Sequence, residues 1–125
     1  MVASVTEERD MVSVDSLPID AKTISATVEL AWKMALRPSR REDIDARTHE
    51  LIGHLNLLQG QALDEDQNQN TLRLLRLTER HLAASNRPTR RTQAHEAFHF
   101  MRDTAVFTSA LLSAYRKLHK TNKTS

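Results

Sequence analysis

Cysteine is absent from the 125-residue sequence, which removes disulfides, thiolate nucleophiles and zinc knuckles from its possible chemistry. Two glycines and three prolines are too few for the many tight turns of a sandwich or barrel. No glycine-rich loop is present to cradle phosphate, and no strand–turn–helix elbow could present a serine nucleophile. Aromatics make up only 4%, so platforms for stacking bases are scarce. No apolar run approaches the roughly 18 residues that span a bilayer. The first ten residues show no basic start followed by an apolar stretch, so no secretory signal is expected and the chain reads as cytoplasmic.

What the chain does contain is unevenly placed charge. The formal net charge is +2, yet residues 1–20 carry Glu7, Glu8, Asp10, Asp15 and Asp20 against Arg9 alone. Residues 73–91 carry Arg73, Arg76, Arg80, Arg87, Arg90 and Arg91 against Glu79 alone, and Arg116, Lys117, Lys120 and Lys123 follow near the end. Such asymmetry suits a nucleic-acid face or a groove for an acidic ligand; the alternative is a solvated helix surface.

Apolar spacing predicts helices throughout. Residues 1–17 show no period and are expected to form a flexible arm. Asp20 suits an N-cap, with Ile19 and Ile24 at hydrophobic-staple spacing. The stripe Ile24, Val28, Ala31, Ala35, flanked by Trp32 and Leu36, runs to a stop at Pro38. Ser39 and Glu42 form an expected capping box for a second helix. Its stripe is Ile44, Thr48, Leu51, Leu55, Leu58 and Ala62, and Gly53 inside it suggests close approach of a neighbour. The polar run 64–70 is expected to cap a third helix. There Leu72, Leu75 and Leu82 point inward, while Arg73, Arg76 and Arg80 share one outer face.

A last helix is expected from about Thr89 to Leu118, with the seam Ala94, Phe98, Met101, Ala105, Thr108, Leu112 and Tyr115. Phe100 and Phe107 widen it. A seam of that length needs a cover, which points to an interlocked or helix-swapped homodimer. The expected fold is thus an all-α, four-helix bundle-like domain over residues 18–120 with a long C-terminal helix, an arm at 1–17 and a tail at 121–125.

The sharpest motif is His95-Glu96-Ala97-Phe98-His99, a literal His-Glu-x-x-His. On a helix it puts two imidazoles on one face with a glutamate available as general base toward a zinc-bound water. No glutamate follows Glu96 to act as third ligand, and Asp103 lies two turns on, so no metal is expected; histidines flanking a buried seam are the alternative. His49 and His54, five apart, do not share a face, and His81 and His119 read as surface residues. Nucleic acid is disfavoured because no short recognition helix is evident and aromatics are few.

The segments Ile19-Asp20 to Val28, Ser39-Arg40-Arg41-Glu42-Asp43 and above all Leu51-Ile52-Gly53-His54-Leu55-Asn56-Leu57-Leu58, followed by an arginine-rich helix, make the chain resemble a family of small all-helical actinobacterial natural-product biosynthesis proteins. The resemblance covers residues 18–118 in outline, and the histidine-rich start of the last helix has no counterpart in it. Members include the lysinoalanine-forming proteins of cinnamycin- and duramycin-type lantibiotic maturation. The resemblance implies a cofactor-independent enzyme that adds a lysine amine to a dehydroalanine within a modified precursor peptide.

For that chemistry the candidate proton carriers are His54 and His95. Arg47 and Arg102 would meet the enolate or substrate carboxylates, and Glu50, Glu96 and Asp103 would hold the lysine. Trp32 and His99 complete the substrate-binding set. Only His54 falls within the matched pattern. Two other expectations stand beside this one: a non-enzymatic helical binding or regulatory module with a basic face, and a zinc hydrolase using His95, Glu96 and His99.

Overall fold

A computed structural model describes residues 19–36, 39–65 and 67–124, with side chains described through His119. The expected arm at 1–17 and the expected stop at Pro38 lie outside these residues. The described chain is all-helical: α1 (Ala21–Lys33), α2 (Arg41–Gln59), α3 (Gln69–His81) and the long α4 (Ala94–Thr124), with a short 3-10 turn at Ala84–Asn86 before α4. Because α4 continues to Thr124, residues 121–124 extend the helix instead of forming a separate tail.

Local chemistry sets several boundaries. The Asp20 carboxylate accepts from the Thr23 amide (3.2 Å) and hydroxyl (2.8 Å), and these bonds hold its pKa below the ordinary 3.8. Ile19 and Ile24 are both buried in one cluster, which closes the staple. The α1 helix ends at Lys33, before Ala35 and Leu36, both of which are exposed, so lengthening it would bury little. The Ser39–Glu42 box does not form. Arg40 occupies the cap without a side-chain bond, and Glu42 and Asp43 in the first turn complement the helix dipole instead.

Helix α2 stops at Gln59, and Ala62, expected on its stripe, is exposed with a left-handed φ of 54°. Helix α4 starts five residues later than expected because Thr89 and Thr92 bond to each other's backbone and side chain in a tight turn. Gly53 has no close neighbour: a Cβ placed there would meet nothing within 4 Å.

The helices pack in an up-down order around α4, which touches the other three and shares its widest interface with α2. Ile24 meets Leu55 and Leu58, while Val28 and Ala31 meet Ile44 and Leu51, so α1 and α2 are antiparallel. Helix α4 runs alongside α2, placing Phe98, Met101 and Ala105 in the second cluster and Leu111, Leu112 and Tyr115 in the first. Phe98, Met101, Ala105, Thr108, Leu112 and Tyr115 are therefore all buried within one chain, and only Ala94 of the expected seam is exposed. The seam makes no demand for a second protomer.

Five polar residues are buried among the described ones, and all are threonines: Thr27, Thr48, Thr78, Thr104 and Thr108. Each hydroxyl donates to the carbonyl four residues earlier, at 2.6 to 3.0 Å. A hydroxyl satisfied within its own helix can be buried without recruiting a partner across the core.

Candidate functional site

His54 projects from α2 toward α1, where its Nε2 lies 3.2 Å from the Thr27 hydroxyl. That hydroxyl already donates its single proton to the Thr23 carbonyl, so toward the ring it accepts, and Nε2 carries the hydrogen. Nδ1 is left as a bare acceptor with no hydrogen bond to the described residues. Burial lowers the His54 pKa from the ordinary 6.5, opposed by the carboxylates of Glu50 and Asp20. Glu50, one turn before it, accepts from Arg47, two turns before it, in an ion pair, and the Arg47 Nε is buried with no partner among the described residues. Arg47, Glu50 and His54, at helical spacing, thus form one polar edge of α2.

The remaining candidates do not join this edge. His95, Glu96 and His99 are exposed on the first two turns of α4, with His99 meeting Phe98 edge-on at 6.0 Å. Arg102 sits over the Phe98 ring at 5.8 Å, and exposed Asp103 acts on His81. Trp32 is 43% exposed on α1 and makes no ring contact. No hydrogen bond, ion pair or ring contact links His54 to His95. Among the described residues no three metal-ligating side chains converge, and His95 and His99 gain no third ligand. None of four surface grooves of about 210 to 460 Å³ formed by the described residues is lined by a candidate residue.

His81 is a correction to the sequence reading, which placed it on the surface. It is half-buried against α4, stacked on Phe100 at 4.3 Å and tilted against Phe107 at 5.0 Å. Its Nε2 lies 2.8 Å from the Thr104 hydroxyl, whose proton goes to the Phe100 carbonyl, so this ring also carries its hydrogen on Nε2. Burial lowers its pKa, with Asp103 opposing. The spacing Leu74, Thr78, His81, at i, i+4 and i+7, was the signal that could have placed it on the inner face. The other histidine read as exposed, His119, is also half-covered, with its ring 4.2 Å from that of Tyr115.

The arginine face forms as its spacing predicts. The Asn68 side chain caps α3 by accepting from the amides of Asn70 (2.9 Å) and Thr71 (3.1 Å). On the helix, Thr78 is the buried residue, so α3 stands out from the bundle with Arg73, Arg76 and Arg80 exposed. The loop that follows is tied down by several bonds. Asn86 donates to the Arg80 carbonyl and Arg87 to that of Leu82, both at 2.8 Å. Arg41 donates from α2 to the carbonyls of Thr89 (2.8 Å) and Thr92 (2.5 Å).

Arg90 and Arg91 are exposed at the end of this loop. Two ion pairs occur among the described residues, Arg41–Asp45 and Arg47–Glu50, so Arg73, Arg76, Arg80, Arg90 and Arg91 have no carboxylate partner there. No protein-family model, curated protein or solved structure matches the chain.

Proposed function

We propose that this protein is a helical binding module that engages an anionic partner through the arginine face of α3 and the loop after it. The observation carrying this reading is the set of five exposed arginines on a helix and a tied loop, with no carboxylate partner among the described residues. Guanidinium groups held together on a fixed scaffold sum to a local positive potential that a net charge of +2 conceals. The test is titration with heparin as a polyanion probe at about 50 mM salt and again at about 200 mM. Binding should weaken with salt and fall sharply in a R73Q/R76Q/R80Q variant whose helical circular dichroism is unchanged. Absence of binding at low salt, or binding indifferent to the substitutions, would overturn the reading.

A second reading is favoured by the bare Nδ1 of His54 beside Glu50 and Arg47. In it the protein is a cofactor-independent, cytoplasmic and homodimeric catalyst of lysinoalanine formation in a modified precursor peptide. A lysine nitrogen bonds to the β-carbon of a dehydroalanine, and the proton it sheds passes through His54 to the α-carbon, so no mass is lost. A dehydrated peptide that loses reactivity toward added thiols at constant mass, and fails to do so with H54A, is the expected result. Retention of full thiol reactivity on incubation with the protein would count against this reading.

A further inference from the structure

We infer that the anionic partner is double-stranded DNA, with α3 presented to the major groove and the α3–α4 loop to the phosphate backbone. This rests on the binding-module reading above and names its partner. The side-chain chemistry is selective. Residues 69–93 contain six arginines, no lysine and none of Phe, Tyr or Trp. Guanidinium groups pair with phosphate and with the edge of guanine in planar, pre-organised two-bond forks, whereas an ammonium offers rotatable donors on a point charge. The lack of Phe, Tyr and Trp removes the platforms on which single-stranded bases stack, which favours a duplex.

The shape agrees with the chemistry. Arg73, Arg76 and Arg80 share the outer face of α3 with Gln69 and with Leu77, which is 40% exposed. Glutamine can read adenine, and an apolar side chain can meet the thymine methyl. The single carboxylate of the helix, Glu79, lies on the flank of this face, bordering with Arg76 a groove also lined by Gln59 and Asp64. A helix about 10–12 Å across matches a major groove about 12 Å wide. Helix α3 can approach so closely because it buries so little of itself in the bundle. At 13 residues it is a short helix with an exposed arginine face, as a groove-reading helix requires. Arg90 and Arg91 follow from a loop whose carbonyls are clamped by Arg41, so their backbone is fixed before any ligand arrives.

The experiment is fluorescence anisotropy with four labelled probes: mixed-sequence duplex DNA of about 20 base pairs, one strand of it, duplex RNA of the same sequence, and polyglutamate. Duplex DNA should bind most tightly, with log K falling linearly in log salt. Each of R73Q, R76Q and R80Q should flatten that slope by about 0.9 if its guanidinium meets one phosphate. Where an arginine reads a base instead, its replacement should relax sequence preference by about 5- to 150-fold per position. Q69A should change sequence preference while leaving the slope unchanged. Tighter binding of the single strand or of RNA, or substitutions that change neither slope nor preference, would overturn the inference. Polyglutamate binding without duplex binding would overturn it while sparing the binding module, and silence from every probe would remove both.

Discussion

Replacing Thr104 by valine should cost far more than replacing Thr108 by valine, although both are fully buried on α4 and both donate to the carbonyl four residues earlier. The shapes are nearly equal, so the cavity contribution is small in both. At Thr108 the substitution removes a hydroxyl whose bond is internal to the helix, a bond that adds little to stability. At Thr104 the same change also removes the acceptor of the His81 Nε2–H, 2.8 Å away, and strands that donor in a half-buried site against Phe100. An orphaned buried donor costs about 1–3 kcal/mol. For a domain of this size that lowers Tm by about 4–8 °C per kcal/mol. Urea unfolding at a pH about one unit above the histidine range would isolate the effect, since both imidazoles are then neutral. T108V should stay close to wild type and T104V should fall clearly below it. Equal midpoints for the two variants would refute the assignment of hydrogen to Nε2 and, with it, the role given to the threonine.

Other outcomes can be stated more briefly. Gly53→Ala should stabilise the chain by about 1 kcal/mol, because the added methyl enters open space and alanine is the better helix former; thermal unfolding reads it. Ala62→Gly should also stabilise, by relieving a left-handed φ of 54°, so that moving the glycine from 53 to 62 raises Tm additively. Both His54 and His81 are harder to protonate in the folded chain than the ordinary 6.5, chiefly through burial. The unfolded chain therefore binds more protons below that value, so stability is full above it and declines as pH falls toward the lowered folded values. Urea midpoints measured down the acid side should show this decline, and His81→Phe should flatten part of it.

Much of the fold was legible because helix periodicity and local caps act over a few residues. The Asp20 cap with its Ile19–Ile24 staple, the α2 stripe from Ile44 to Leu58 and the outward face of Arg73, Arg76 and Arg80 all needed only i, i+3 and i+4 neighbours. The misses came from interactions over longer separations or between competing local options. Thr89 and Thr92 offered the backbone a side-chain turn that outcompeted the first turn of α4, and Arg41, about fifty residues away, stabilised it. The spacing Leu74, Thr78, His81 marked the inner face locally, but the partners that make burial of an imidazole favourable, Phe100 and Thr104, lie on another helix. The argument from the seam to a second protomer lost its premise for the same reason: periodicity showed an apolar seam on α4 but not that α1, α2 and α3 would cover it together. Of the proposed chemistry, only the edge of Arg47, Glu50 and His54 was contiguous enough to read, since all three share one helix face.

Threonines that satisfy themselves leave the interior almost without directional commitments between helices. Apolar contacts tolerate a helix sliding by a turn, about 5.4 Å, as long as similar side chains exchange places. Among the described residues, two side-chain bonds between helices distinguish one such setting from the next: His54 to Thr27 indexes α1 against α2, and His81 to Thr104 indexes α3 against α4. They behave as locating pins in an otherwise smooth assembly. Among the described residues, the helix that carries the arginines is thus indexed against α4 by one side-chain bond, that of an imidazole.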